Sequence, residues 1–129
     1  VILVDTSVWL MDRRRFRLAD VVPLDQIAVC GPIIQEVLQG TRNEEFRERQ
    51  HMLMQTHLVD VPLPLSRFEY AAEIYTTLRR GGITIRSAHD CLIAAIAVLN
   101  RIELVHADRD FDYIAEVVNL DARNINPFA

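Results

Sequence analysis

Four acidic side chains, Asp5, Glu36, Asp90 and Asp108, stand at separated points where a strand is expected to end or a helix to begin. Asp5 is the sharpest of them, because Val1-Ile2-Leu3-Val4 runs straight into Asp5-Thr6-Ser7. Carboxylates brought together repel one another, and a cation is needed to hold them all ionised. Oxygen ligands with room for water select Mg2+ or Mn2+. Zinc would need histidine or cysteine at suitable spacing, and none is evident. One or two hard cations on such a set polarise a phosphodiester, activate water and stabilise the leaving oxygen. There is no GxxxxGK[ST] loop and no GxSxG elbow, which speaks against nucleotide hydrolysis and against a Ser/His/Asp hydrolase.

The elements that must position these acids are legible as alternating strands and helices. Val1–Val4 reads as a strand buried on both faces, and a carboxylate at its end projects into the crevice where open α/β sheets bind ligands. Short helices or strands follow at Ser7–Met11, Ile27–Cys30 and Pro32–Gln39, the last with proline in its first turn and Gly40 after it. Asn43 is the expected N-cap of the next helix, with Glu44 and Glu45 suited to its dipole. Val59–Val61 is a predicted strand, and Ser66 with Glu69 a predicted capping box opening a helix that Gly81-Gly82 closes. Ser87 opens a helix that is apolar almost all round from Leu92 to Leu99, hence central and buried. Leu104–Val105 is a strand, Phe111–Val118 a helix and Arg123–Ile125 a final strand. This alternation predicts an α/β fold of three layers, α/β/α, with a short, mainly parallel sheet between helices. With no repeats and no long linker, residues 1–129 read as one domain.

The longest unbroken apolar stretch, Cys91–Leu99, falls far short of the ~20 residues that span a bilayer. No basic-then-apolar leader is present, so neither membrane insertion nor secretion is expected. Cys30 and Cys91 lie in apolar segments and read as reduced core residues, which fits a cytoplasmic protein. A net charge of −4 argues against a protein that coats nucleic acid through bulk charge. All fourteen basic residues are nevertheless arginine, a pattern that suits bidentate phosphate contacts and that codon usage also produces. The densest basic run is Arg13-Arg14-Arg15-Phe16-Arg17; it reads as a solvated segment or as a phosphate-backbone contact.

Each acid also has a purely structural reading. Asp5 can cap the Ser7 helix, Glu36 can face solvent, Asp90 can pair with Ser87, and Asp108 or Asp110 can cap the Phe111 helix. Asp90 resists this most, since a carboxylate in the first turn of the most hydrophobic helix is costly unless it is paired. That helix N-terminus lowers the cost.

Taken in order, four segments resemble PIN-domain ribonucleases, most closely VapC-type toxins of bacterial toxin–antitoxin pairs. They are Asp5-Thr6-Ser7-Val8-Trp9, Pro32-Ile33-Ile34-Gln35-Glu36-Val37-Leu38-Gln39-Gly40, His89-Asp90-Cys91-Leu92-Ile93-Ala94 and His106-Ala107-Asp108-Arg109-Asp110-Phe111-Asp112. The resemblance spans essentially the whole chain. It implies a sheet with the first strand central and an acidic pocket for Mg2+ or Mn2+, in which Asp5, Glu36, Asp90 and Asp108 are the catalytic, metal-binding acids. It makes Ser7 the hydroxyl that orients the site and Asp110 an auxiliary acid. His106 departs from the family, which often has threonine or serine there; replacement of that hydrogen bond is the favoured role, with substrate contact the other. His89 reads as a neighbour of the site or a surface residue rather than a catalytic group.

The resemblance further implies a metal-dependent endoribonuclease, the toxin of a type II pair, with a VapB-type antitoxin as partner and a homodimeric state. The antitoxin groove would run between the Ser7 helix and the helices of Asn43–His57 and Ser66–Arg80, with Trp9, Leu10, Met11, Phe46, Met52 and Met54 as lining candidates. Arg13, Arg14, Arg15 and Arg86 are candidates for contact with the RNA backbone. Three competing readings stand beside this one. They are a PIN-like nuclease of RNA processing outside any toxin–antitoxin pair, a non-catalytic PIN-like binding module, and an aspartate-nucleophile phosphohydrolase. The last lacks a second acid two residues after Asp5 and any lysine to steady a phosphate.

Overall fold

The computed structural model describes residues 1–11 and 17–127. Arg13, Arg14 and Arg15 lie outside the described residues. The chain builds β1 (Ile2–Val4), α1 (Thr6–Trp9), β2 (Ile27–Val29), α2 (Gly31–Gln39), α3 (Asn43–Met54) and β3 (His57–Leu58). It continues through α4 (Leu65–Arg80), α5 (Ala88–Asn100), β4 (Glu103–His106), α6 (Arg109–Val117) and β5 (Ala122–Asn124). All strand pairings are parallel, in the order β3-β2-β1-β4-β5, so the first strand is central as expected.

This order makes the chain step outward from β1 to β3, cross back, and step outward again from β4 to β5. Parallel crossovers are right-handed, so α1–α3 cover one face of the sheet and α4–α6 the other. Packing agrees: α1 meets α2 and α2 meets α3, while α4, α5 and α6 pack on one another. The direction reverses between β1 and β4, and at such a switch point the two following connections part to opposite faces, leaving a crevice at the carboxyl ends of the strands.

The core explains why these short strands hold. Leu3, Val4, Ala28, Val29, Leu104 and Val105 are fully buried, and Asp90 to Ala97 of α5 are buried without a break. Each large apolar side chain so removed from water contributes about 1.5–3 kcal/mol. Cys30 and Cys91 are free and buried; burial pushes the first thiol up to about 12 and the second to about 11, which leaves both unreactive. Among the described residues no helix is long and apolar enough to cross a membrane.

Four local expectations shift. Arg42, not Asn43, is the N-cap of α3, because the Arg42 carbonyl already accepts from Glu45 N–H at 2.9 Å and draws Asn43 into the first turn. The Ser66–Glu69 capping box does not form: extended Pro64 starts α4 earlier, its carbonyl accepting from Arg67 N–H at 3.1 Å, and the Ser66 hydroxyl accepts instead from the Arg67 guanidinium. The third strand is His57–Leu58 rather than Val59–Val61. Val59 N–H still reaches Val29 O at 2.9 Å, but Asp60 then turns into the left-handed region at φ 55° and ends the pairing. The last helix starts at Arg109 rather than Phe111, because the Asp108 carboxylate accepts from Asp110 N–H.

Candidate metal centre

Every predicted acid arrives at the switch-point crevice on a different element. Asp5 ends β1, and its backbone N–H donates to Val105 O at 2.9 Å, which fixes it against β4. Its side chain accepts from Ser7 N–H at 3.0 Å and from the Ser7 hydroxyl at 2.5 Å. That hydroxyl in turn accepts from Ala107 N–H at 3.0 Å, so one serine clamps the ends of β1 and β4 together. Asp5 is therefore the cap of α1 and a neighbour of the other acids at once, so its capping role leaves it within the cluster. The same holds for Asp108, whose Oδ1 caps α6 through Asp110 N–H at 3.0 Å.

Glu36 stands in the second turn of α2 and is held by the Thr6 hydroxyl, which donates to its Oε1 at 3.3 Å. Thr6 is a positioning residue that sequence reasoning passed over, although it lies inside the Asp5-Thr6-Ser7 signature. His89 Nδ1 is 4.0 Å from the other Glu36 oxygen, at the rim.

Asp90, Asp108 and Asp110 each present one oxygen within 4.8 Å of the other two, with Asp90 and Asp110 buried. Asp110, read from sequence as auxiliary, thus belongs to the tightest triplet, while Asp5 and Glu36 surround it within electrostatic reach. Asp90 enters from the first turn of α5 and Asp110 from that of α6, where the helix dipoles favour negative charge.

That favour is not enough. Burial first, then the charges of Asp5, Asp108, Glu36 and Asp110, push the Asp90 carboxyl from 3.8 up to about 8. Asp5 is raised too, by burial and by Glu36, against the bonds from Ser7 that pull it down. Among the described residues no donor bonds to the Asp90 carboxylate. An oxygen-only donor set, too crowded to ionise by itself, fits a hard divalent cation and misfits a softer one.

His106 is fully buried at the end of β4. Its Nδ1 accepts from Asp108 N–H at 3.2 Å, its ring lies 5.0 Å from that of Phe111, and burial lowers its pKa. Its Nε2 has no hydrogen-bond partner among the described residues and sits 3.7 Å from Asp112. The ring thus braces the loop carrying Asp108, the hydrogen-bonding role favoured from sequence.

Arg86 lies against the cluster: its Nη2 is 3.3 Å from Asp108 Oδ1, its Nε 3.4 Å from Asp110 Oδ2, and its backbone N–H donates to the same Asp110 oxygen at 3.3 Å. Of the groove candidates, Trp9 is 2% exposed with its indole N–H on Val4 O, whereas Leu10, Phe46, Met52 and Met54 are exposed. Trp9 and Met52 share a cleft of about 750 Å³ with Leu18, Leu24 and Gln55.

Comparison with known proteins identifies the family that shares this fold. The PIN domain model matches residues 2–117. VapC ribonuclease Mb1587 of Mycobacterium bovis and ribonuclease VapC11 of Mycobacterium tuberculosis are each 35% identical, over 95% of this chain and 97% of theirs. The solved structure of VapBC2 from Rickettsia felis, bound to a DNA fragment from its promoter, shares the fold with a TM-score of 0.75 at 18% identity, covering 95% of this chain and 97% of that one. The chain belongs to the PIN domain family and, within it, to the VapC ribonucleases.

Proposed function

We propose that this chain is a metal-dependent endoribonuclease, the toxin of a type II toxin–antitoxin pair, acting as a single domain over residues 1–129. The observation that carries the reading is Asp90: a nearly buried carboxylate, beside four other acids, with no donor among the described residues to offset its charge. The names of its relatives supply the substrate class. Asp90, Asp108 and Asp110 would hold the ion, with Asp5 and Glu36 completing the charge around it. Mg2+ or Mn2+ bound there would supply Lewis-acid polarisation of a phosphodiester and a lowered pKa for water. The chain's own part is positioning. Ser7 holds Asp5 in register with β4, Thr6 holds Glu36, and the α5 and α6 N-termini present Asp90 and Asp110. The five acids outnumber the one arginine beside them and repel an RNA phosphate until a divalent cation arrives, which makes metal binding a precondition for substrate. A VapB-type antitoxin as partner, a homodimer as working state and the cytoplasm as location complete the reading; the exposed Leu10, Phe46, Met52 and Met54 offer the antitoxin apolar contact.

The test is cleavage of a labelled RNA by the purified chain with Mg2+ or Mn2+, repeated with EDTA and with Asp5→Asn. Cleavage is expected with metal and lost in both controls. Cleavage that survives EDTA and the substitution would falsify the mechanism. The toxin role is checked by growth arrest on expression, relieved when a short neighbouring gene is co-expressed.

A further inference from the structure

The two ion pairs of Arg86 use oxygens of the same acids that form the tightest triplet, yet they are loose. At 3.3 and 3.4 Å they exceed the 2.7–2.9 Å usual for a charge-assisted N–H···O bond. The Arg86 side chain is 68% exposed, while Asp110 beneath it is 5% exposed. Exposed ion pairs of this kind hold weakly. Arg86 also precedes the cap of α5, Ser87, by one residue, and its backbone N–H is itself bonded to Asp110. Its base is therefore anchored at the rim of the cluster, while its guanidinium is solvent-exposed and held only by long ion pairs.

We propose that Arg86 is a resident counter-cation of the acidic cluster that is displaced when the divalent ion binds and then takes the RNA phosphate at the rim. This rests on the metal-site reading above. A divalent ion carries twice the charge of the guanidinium and approaches the carboxylates more closely, so at the shared acids it prevails and repels the arginine outward. The released guanidinium keeps its five donors in a planar fork, suited to two phosphate oxygens. Its anchor keeps it within one side-chain length of the acids. Arg86 thereby screens the acids before metal binds and recruits the substrate afterwards.

The experiment titrates Mn2+ calorimetrically into wild type, Arg86→Ala, Arg86→Lys and Arg109→Ala. It then measures KM and kcat for RNA cleavage at saturating Mn2+ over a range of salt. Arg109 follows Asp108 in the chain and is exposed, so its removal controls for net charge alone. Arg86→Ala should bind Mn2+ about three- to ten-fold more tightly, and Arg109→Ala should stay within about two-fold of wild type. KM for RNA should rise about ten-fold in Arg86→Ala with kcat little changed, and fall back partway in Arg86→Lys. The slope of log(1/KM) against log salt should shrink by roughly 0.7, the loss of one phosphate contact on a single strand. Unchanged or weaker Mn2+ binding in Arg86→Ala, or an equal gain in Arg109→Ala, overturns displacement; an unchanged KM and salt slope overturns substrate capture. If wild type and Arg86→Ala both fail to bind Mn2+, the metal-site reading falls and this inference with it.

Discussion

Asp60 and Asp90 are both largely withdrawn from water, and the fold treats them in opposite ways. Asp60 accepts from Arg67 Nε at 2.7 Å and Nη2 at 3.3 Å, and from Asn100 Nδ2 at 3.0 Å, so its charge is met by the chain itself. It ties the segment after β3 to the start of α4 and the end of α5. Asp90 has no donor among the described residues and faces four further carboxylates. A satisfied buried acid is a structural fastener; an unsatisfied one beside like charges marks a candidate functional site. The contrast separates two acids that composition treats alike.

Removing each charge should therefore have opposite effects, and the largest is on activity. Asp90→Asn should lower RNA cleavage by at least about a hundred-fold, yet raise the melting temperature of the metal-free chain, because it deletes repulsion rather than a contact. A fall in metal-free melting temperature would break the comparison. Arg67→Ala leaves Asp60 with Asn100 alone and should cost about 2–4 kcal/mol of stability, since an acid stripped of its ion partner is left nearly buried. Its kcat/KM, measured well below the melting temperature, should match wild type. Ser7→Ala should lie between the two kinds of change. It frees one oxygen of Asp5 and leaves Ala107 N–H without an acceptor, and should lower cleavage about ten-fold with a modest loss of stability.

The smallest effect is a pH slope. Asp90 binds a proton up to about pH 8 in the fold, against 3.8 for the ordinary carboxyl. Between those values the folded chain holds more protons than the unfolded one, so metal-free stability falls as pH rises through the window. His106 has the opposite sign. Its folded pKa lies below the ordinary value of 6.5, so the unfolded chain takes up the proton more readily and stability falls as pH drops below 6.5. Melting temperatures in EDTA from pH 6.5 to 9 isolate the Asp90 branch: wild type should decline, and Asp90→Asn should be flatter.

The sequence carried the contrast only in part. The apolar run into Asp5 and the unbroken apolar face of α5 located the acids on their elements, because burial on all sides leaves a continuous hydrophobic signature. Order and spacing of the four segments then carried the family. Asp110 was harder to rank, because Asp108 is its neighbour in sequence but its meeting with Asp90 of α5 is a tertiary one that no local spacing encodes. Asp60 went unnoticed for the same reason: Arg67 is near it in sequence, but Asn100 lies 40 residues on. Helix starts slipped where an upstream backbone carbonyl already accepts the first helical bond, as at Pro64 and at Arg42. Arg86 was read as a residue for RNA alone, since nothing in its neighbours tells that the fold turns it onto Asp108 and Asp110.

The central claim is that the cluster is an incomplete site awaiting a divalent cation. The most direct test is calorimetric titration of Mn2+ at pH 7 in two buffers of different ionisation enthalpy. The account predicts binding that releases close to one proton per chain, chiefly from Asp90, and loss of both binding and proton release in Asp90→Asn. No binding, or binding of equal strength and proton count in Asp90→Asn, would contradict it.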